Sequence, residues 1–120
     1  MNAVLNTISV QRWVAVCPVD AIVPNTGVCA LVDEHPVAVF RVKAADGRDQ
    51  FHAIDNIDPK NGANVLSRGI VGEHEGELWV ASPLKKQHFR LRDGHCLENA
   101  AMSVQSYPVE VRDQQVWVAV

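Results

Sequence analysis

Residues 54–91 read IDNIDPKNGANVLSRGIVGEHEGELWVASPLKKQHFRL and contain two loops built on the same plan. A β-rich run, residues 50–54, precedes the first loop, residues 58–63 (DPKNGA). A second β-rich run, residues 77–81, leads into the second loop, residues 82–89 (SPLKKQHF). Proline follows the first residue of each loop, and asparagine and glycine close the first one, as tight turns require. The sequence therefore predicts two loops that leave neighbouring strands.

The bulk composition indicates one soluble globular domain. The chain has 120 residues, 48% hydrophobic and 21% charged, and a chain of this length buries about two-thirds of its unfolded surface. The formal net charge of −3 argues against a nucleic-acid partner, and no apolar run is long enough for a membrane span. The first six residues carry neither a basic region nor a hydrophobic stretch, so we expect a cytoplasmic protein. Cys17, Cys29 and Cys96 are widely spaced and are expected to be free thiols.

Short β-rich runs alternate with turn chemistry along the chain, which is typical of an all-β sandwich or small barrel. The predicted strands are residues 13–16, 28–31, 37–42, 50–54, 77–81, 88–91, 95–97, 107–112 and 116–120. Residues 69–75 are ambiguous, and residues 19–22 and 99–102 are each expected to form one helical turn. The final run is almost continuously apolar, so we expect neighbouring elements to cover it.

Several of these stretches resemble one known family. Residues 54–91 resemble the Rieske-like ferredoxin domain, in which two Cys bind one iron of a [2Fe–2S] cluster and two His bind the other. A closer resemblance is to the small subunit of assimilatory NAD(P)H-dependent nitrite reductase. The stretches that carry it are residues 37–41, 65–69, 81–87, 89–94 and 107–111.

The four ligand positions of the Rieske site are present without their ligands. The usual pattern is Cys-x-His in the first loop and Cys-x-x-His in the second, whereas here Asp58 and Lys60 occupy the first pair and Ser82 and Lys85 the second. A lysine ammonium has no lone pair for a metal. We therefore expect no cofactor-binding, metal-binding or catalytic residue in this chain, and the missing ligands are themselves part of the resemblance.

The resemblance implies a Rieske-like fold of antiparallel sheets for residues 1–120 as one domain. Within it, residues 52–92 would be a degenerate cluster-binding subdomain on a basal β-sandwich. It also implies that the chain is the accessory small subunit of an oxidoreductase that reduces nitrite to ammonium in nitrate assimilation. The implied partner is the large subunit, which would carry FAD, sirohaem and a [4Fe–4S] cluster.

Polar side chains in and beside the two loops are the candidates for contact with that partner: Lys60, Arg68, Lys85, Lys86 and Gln87. The segment from residue 52 to residue 92 has six Lys or Arg against five Asp or Glu, a net charge of about +1, whereas the whole chain carries −3. Such polarity steers docking onto an acidic face.

Two further expectations concern packing. An ion pair of Asp58 with Lys60 or Lys85 is a hypothesis for what replaces the metal as a link between the loops. Trp13, Trp79 and Trp117 fall on predicted strands and are expected to be core anchors, although an exposed tryptophan beside the loops would be a candidate contact for a partner.

Other functions remain open at this point. Zinc or non-haem iron would use ligand-capable side chains near the loops, but none of these has a diagnostic spacing. They are Asp58, His74, His88, His95 and Cys96. An electron-transfer ferredoxin with unusual ligands is one rival, which a colourless purified protein would exclude. An interaction module of other specificity is the second rival, and a sirohaem reductase gene alongside would argue against it.

Overall fold

The computed structural model of this protein describes residues 12–84 and 86–120. The strands in this part of the chain are β1 (Trp13–Pro18), β2 (Thr26–Val32), β3 (His35–Lys43), β4 (Asp49–Asp55), β5 (Ile70–His74), β6 (Glu77–Ala81), β7 (His88–Arg90), β8 (Ser106–Tyr107), β9 (Val109–Arg112) and β10 (Gln115–Ala119). Single turns of 3₁₀ helix cover Val19–Ala21, Leu66–Arg68 and Ala100–Met102. The all-β prediction is confirmed, and the ambiguous residues after Gly69 form β5. No helix among the described residues is long and apolar enough to cross a membrane.

The described strands form three antiparallel sheets, with the orders β1-β10-β9, β2-β3-β4-β8 and β5-β6-β7. None of the three closes into a barrel, so the sandwich alternative is the one observed. β10 lies in the middle of its sheet, between β1 and β9, and its Val116 and Val118 are buried. This confirms the expectation that neighbouring elements cover the apolar final strand.

Two-residue turns set the register of the β2–β3 and β9–β10 hairpins. The β2–β3 turn has φ of 49° at Asp33 and 70° at Glu34, and the β9–β10 turn has φ of 53° at Asp113 and 64° at Gln114. Two successive positive φ angles give the twist that matches antiparallel strands. Asp and Gln adopt this conformation at a cost that the flanking ladders offset.

The strand predicted for residues 95–97 is wrong. Cys96 makes only an isolated bridge to Phe89 of β7. Its N–H faces away from β7 and donates at 2.9 Å to the Ser103 hydroxyl. The chain beyond the turn runs along β7 for this one bridge only, where the N–H of Arg90 donates to the His95 carbonyl at 2.8 Å and the N–H of Leu97 to the His88 carbonyl at 2.9 Å.

β3 separates two hydrophobic clusters. Ala38 and Phe40 belong to the cluster beneath β5-β6-β7, while Val37 and Val39 belong to the cluster beneath β1-β10-β9. Because successive strand residues point to opposite faces, β3 is buried on both sides. The loop-bearing sheet thus packs on β3, and the division at residues 52–92 into a subdomain stays a prediction.

The prediction that the tryptophans anchor the core is wrong. All three are only half-buried, and the fully buried large side chains are aliphatic residues and phenylalanines. The Arg112 guanidinium lies 5.4 Å from the Trp13 ring centroid and 4.8 Å from that of Trp117. Since Val116 and Val118 point inward, strand alternation turns Trp117 outward, where it contributes a cation–π contact instead.

Candidate functional site: the joined loops

The two loops meet at a buried hydrogen bond. Ser82 Oγ donates to Asp58 Oδ2 at 2.5 Å, between residues 24 positions apart in sequence. Asp58 is 0% exposed and Ser82 1%. The N–H of Lys60 donates to Asp58 Oδ1 at 2.9 Å, and the N–H of Leu84 approaches Ser82 Oγ at 3.4 Å. Each side chain therefore orders its own loop and also links the two loops.

The ion pair hypothesised for Asp58 is wrong where Lys60 is concerned. Among the described residues Asp58 accepts from the backbone N–H of Lys60, whose side chain is exposed, and from Ser82. A hydroxyl can satisfy a buried carboxylate without the cost of burying a second charge. The other possible partner, Lys85, lies outside the described residues, so that half of the hypothesis stays a prediction.

Asn56 fixes the first loop against the core and is not among the predicted site residues. It is 1% exposed. Its Oδ1 accepts from the N–H of Ser67 at 2.6 Å, and its Nδ2 donates to Asn64 Oδ1 at 2.5 Å. Its carbonyl accepts from the N–H groups of Val65 and Leu66 at 3.0 and 2.9 Å. A pair of asparagines flanking a Pro- and Gly-containing turn is the sequence signal that could have identified it.

Backbone hydrogen bonds close the second loop. The N–H of Ser82 donates to the Gln87 carbonyl at 2.8 Å, and the N–H of Lys86 donates to the Ser82 carbonyl at 3.0 Å. Lys86 has φ of 62°, so the loop turns sharply and leaves the Lys86 side chain exposed. The Gln87 amide is enclosed, and neither of its polar atoms is hydrogen-bonded within the described chain. Direct contact of a partner with Gln87 would require this amide to turn outward.

The predicted basic side chains outside Lys85 gather around the joined loops. Lys60, Arg68 and Lys86 are exposed, and among residues 12–84 and 86–120 none of the three forms an ion pair. The acidic side chains of β5 and β6 lie mainly toward the hairpin at the opposite end of these strands, where His74 pairs with Glu77 in the ladder. Positive charge that is not neutralised is therefore concentrated at the loops.

Two further arginines of the segment are already neutralised. Arg90 binds Asp93 in a bidentate pair, with Nε–Oδ1 of 2.9 Å and Nη2–Oδ2 of 2.7 Å. Arg92 Nε donates to Glu77 Oε1 at 2.9 Å. The hydrogen bond from Arg90 lowers the pKa of Asp93 from 3.8 to about 2. Partial burial acts in the opposite direction, and the hydrogen bond from the backbone N–H of His95 lowers the pKa further. These arginines therefore stabilise the turn and do not add to the free charge at the loops.

The Asp93 pair predicts how stability depends on pH. Because the folded pKa of Asp93, about 2, lies below its ordinary value of 3.8, its contribution is complete above pH 4 and is lost as the pH falls toward 2. The variant Asp93→Asn should therefore melt at a lower temperature than wild type at pH 5, and most of this difference should be lost near pH 2, where about half of folded Asp93 is protonated. Thermal unfolding followed by circular dichroism at several pH values would measure it. A melting-temperature difference that stayed constant across this range would contradict the pairing, and Arg90→Gln should reproduce the loss.

His88 is held by contacts with Glu98 and Trp79. Its backbone N–H and its Nδ1 lie 2.8 and 2.6 Å from the Glu98 carboxylate. Burial raises the pKa of Glu98, but these contacts with His88 outweigh burial and lower it overall. The His88 ring also packs edge-on against Trp79, with centroids 4.6 Å apart. No three His, Cys, Asp or Glu side chains of the described chain come together as a metal site, so the metal alternative finds no support.

Comparison with known proteins places this arrangement in a family. The sequence profile of the Rieske-like [2Fe–2S] domain matches residues 12–119. The nitrite reductase (NADH) small subunit of Escherichia coli strain K12 is 52% identical over 103 residues, which cover 86% of this chain and 93% of that protein. The chain belongs to the Rieske-like family and, within it, to the nitrite reductase small subunits.

Two further relatives extend the comparison. The solution structure of the Escherichia coli protein NirD matches with a TM-score of 0.83 at 50% identity, covering 92% of this chain and 98% of that one. The nitrite reductase [NAD(P)H] large subunit of Klebsiella oxytoca is 43% identical over 108 residues, which are 90% of this chain and 11% of that protein. The family resemblance, the Rieske-like fold and the assignment to a subunit of an oxidoreductase are thereby confirmed.

The residues of this small subunit do not fit the [2Fe–2S] cluster after which its family is described. Such a cluster needs two thiolates and two imidazoles. Asp58 and Ser82, at two of the ligand positions, are in direct contact at 2.5 Å, which leaves no room for iron between them. Lys60, at a third position, offers no lone pair. Cys96 is buried in the core cluster beneath β5-β6-β7 and is not presented by either loop.

Proposed function

We propose that this small subunit is an accessory of an assimilatory NAD(P)H nitrite reductase that works by docking on the large subunit and carries no cluster of its own. The observation that supports the proposal is the Asp58–Ser82 hydrogen bond. It joins the two loops where the family holds a metal, so the loop shape persists without the redox centre. What the joined loops present to a partner is shape and positive charge.

The joined loops have the properties of a preorganised docking surface. Loops that are already ordered lose less conformational entropy on binding. The exposed Lys60, Arg68 and Lys86 would steer an acidic face of the large subunit and set its orientation. Lys85, in the same loop, would add to this charge, while Gln87 would act mainly through the carbonyl that closes the loop.

The Klebsiella oxytoca protein supports a close association with the large subunit. In that protein the segment similar to this chain is 11% of a single polypeptide named as the large subunit. Covalent linkage raises the effective concentration of the two parts to the millimolar range or so. A separate small subunit lacks this linkage, so its own surface must supply the affinity.

The chemistry of the reaction is proposed to lie entirely on the large subunit. FAD, sirohaem and a [4Fe–4S] cluster there would carry electrons from NAD(P)H to nitrite, and ammonium would be the product. We place the complex in the cytoplasm, in nitrate assimilation, without a nucleic-acid or membrane partner.

Co-purification with the large subunit tests the proposal. The chain would be tagged, co-expressed with the large sirohaem reductase of the same organism, and passed over affinity and size-exclusion columns. We expect the two proteins to elute together, and NADH-dependent nitrite consumption by the large subunit to rise when the small subunit is added. Separate elution together with unchanged nitrite consumption would contradict the proposal. Stoichiometric iron and sulfide in the small subunit alone would favour the electron-transfer rival.

A further inference from the structure

A groove of about 450 Å³ runs beside the second loop on the outer face of β5-β6-β7. Ile70, Trp79, Ala81 and Pro83 form its apolar part, and Arg68 and Lys86 also line it. No carboxylate side chain is among its lining residues in the described chain. The groove therefore combines an apolar floor with two cations, which distinguishes it from the other depressions on this sheet.

Strand alternation explains why these side chains face outward. Val71, Val80 and Phe89 point into the core beneath the sheet, so the residues next to them point away from it. The ladder pairs Ile70 with Ala81, which places the two side chains side by side on the outer face.

Gly72 makes room for the aromatic part of the floor. A Cβ at this position would lie 2.4 Å from the Trp79 ring, so only glycine lets the indole lie close against β5. The His88 ring supports the indole from the other side at a centroid distance of 4.6 Å. Trp79 is thereby held in one orientation. An aromatic side chain that is already ordered loses less conformational entropy when a partner binds to it.

Two apolar side chains at the groove are exposed to solvent, and their burial against a partner would be favourable. Ile70 is 74% exposed and Leu84, in the adjoining loop, 50%. Single exposed apolar residues are common, but a contiguous apolar strip rimmed by charge is typical of an interaction site. Ile70 pairs with Ala81, which leads into the second loop, and Leu84 and Lys86 are both in that loop.

We infer that this groove binds a segment of the large subunit in which a large apolar side chain is flanked by carboxylates. The inference rests on the proposed function and identifies the groove as a surface through which the small subunit docks on the large subunit. The apolar side chain would cover Ile70 and Trp79, while the carboxylates would pair with Arg68 and Lys86, which form no ion pair among the described residues.

A second copy of this chain fits the groove less well. A two-fold interface brings the same patch of both copies together. The Arg68 and Lys86 side chains of both copies would then meet, and like charges brought together at an interface oppose binding. The positive charge of the groove thus favours an acidic partner over a second copy of this chain.

Binding of purified variants to the purified large subunit tests the inference. Ile70→Glu should weaken binding about thirtyfold or more, since it places a charge in the apolar centre of the contact. Leu31→Glu is the matched control, because Leu31 is 72% exposed and lies on β2, in a different sheet; its affinity should stay within about twofold of wild type. Ile70→Lys should bind about tenfold more tightly than Ile70→Glu if carboxylates surround the site. Biolayer interferometry would give the affinities, and sedimentation velocity the state of each variant alone.

The outcomes separate this inference from the proposed function. If wild type binds the large subunit and Ile70→Glu binds as well as wild type, the groove is overturned and the proposed function stands. If wild type does not bind, both fail. If Ile70→Lys binds more weakly than Ile70→Glu, the acidic character of the partner segment is overturned. If Ile70→Glu only dissociates a dimer of the small subunit, the groove joins copies of this chain and the inference is wrong.

Discussion

Replacing Ser82 with alanine is expected to lower the free energy of unfolding by about 2–3 kcal/mol, because it leaves a buried carboxylate short of a donor. Asp58 is 0% exposed, and in the variant it would keep only the N–H of Lys60 among its present donors. Water cannot replace the hydroxyl without opening the contact between the loops. Urea unfolding followed by circular dichroism at neutral pH would measure the change.

A double-mutant cycle separates the hydrogen bond from the other effects of the substitution. Removing both partners, with Asp58→Ala and Ser82→Ala together, should cost less than the sum of the single changes by about 1–3 kcal/mol, because no buried carboxylate is then left without its hydroxyl donor. Ser106→Ala, in a half-buried serine of β8, is the control and should change stability by about 0.5 kcal/mol or less. Additive single effects would show that the two loops are not joined through this bond.

Reversing one charge on each loop is expected to weaken binding to the large subunit about ten- to hundredfold at low ionic strength. The variant carries Lys60→Glu and Lys86→Glu, both at exposed positions, so its fold should be unchanged. Most of the loss should appear in the association rate, because steering acts before contact. The difference from wild type should diminish as salt rises, since the Debye length falls from about 8 Å at 0.15 M to about 3 Å at 1 M.

A second pair of reversals provides the matched control for charge. Lys43→Glu with Arg48→Glu makes the same change in net charge at exposed positions near the β3–β4 turn, away from the loops. Surface plasmon resonance at several salt concentrations would compare the two variants. Equal losses for both pairs would mean that binding responds to net charge alone, and the loops would then have no special role in docking.

The predicted site could be located from sequence, but its internal chemistry could not. The turn residues around Asp58 and Ser82 identify both loops, because Pro, Asn and Gly impose local backbone geometry. Whether Asp58 meets a lysine or Ser82 depends on which side chain is buried beside it. The same holds for Asn56, whose four hydrogen bonds to residues 64–67 form only when that segment folds back over it.

Errors in the strand assignment also have physical causes. Residues 95–97 have a hairpin signal and make two backbone hydrogen bonds to β7, but the pairing ends at the single Cys96–Phe89 bridge because the chain bends at residues 97 and 98. The tryptophans read as core residues because they are large and apolar, whereas strand alternation sends Trp117 to the outer face once Val116 and Val118 face inward. Propensity counts each residue singly, and the register decides which face it occupies.

Local chemistry in the chain was enough to establish the β-rich character, the two loops and the replacement of Cys and His by Asp58, Lys60, Ser82 and Lys85, since each depends on neighbouring residues or on one side chain. Packing between distant segments determined the rest: the bond that joins loops 24 positions apart, the burial of β3 on both faces, and the groove beside Trp79. These contacts depend on how the sheets pack against one another. Hydrophobic burial is non-directional, so only the assembled core selects one packing arrangement.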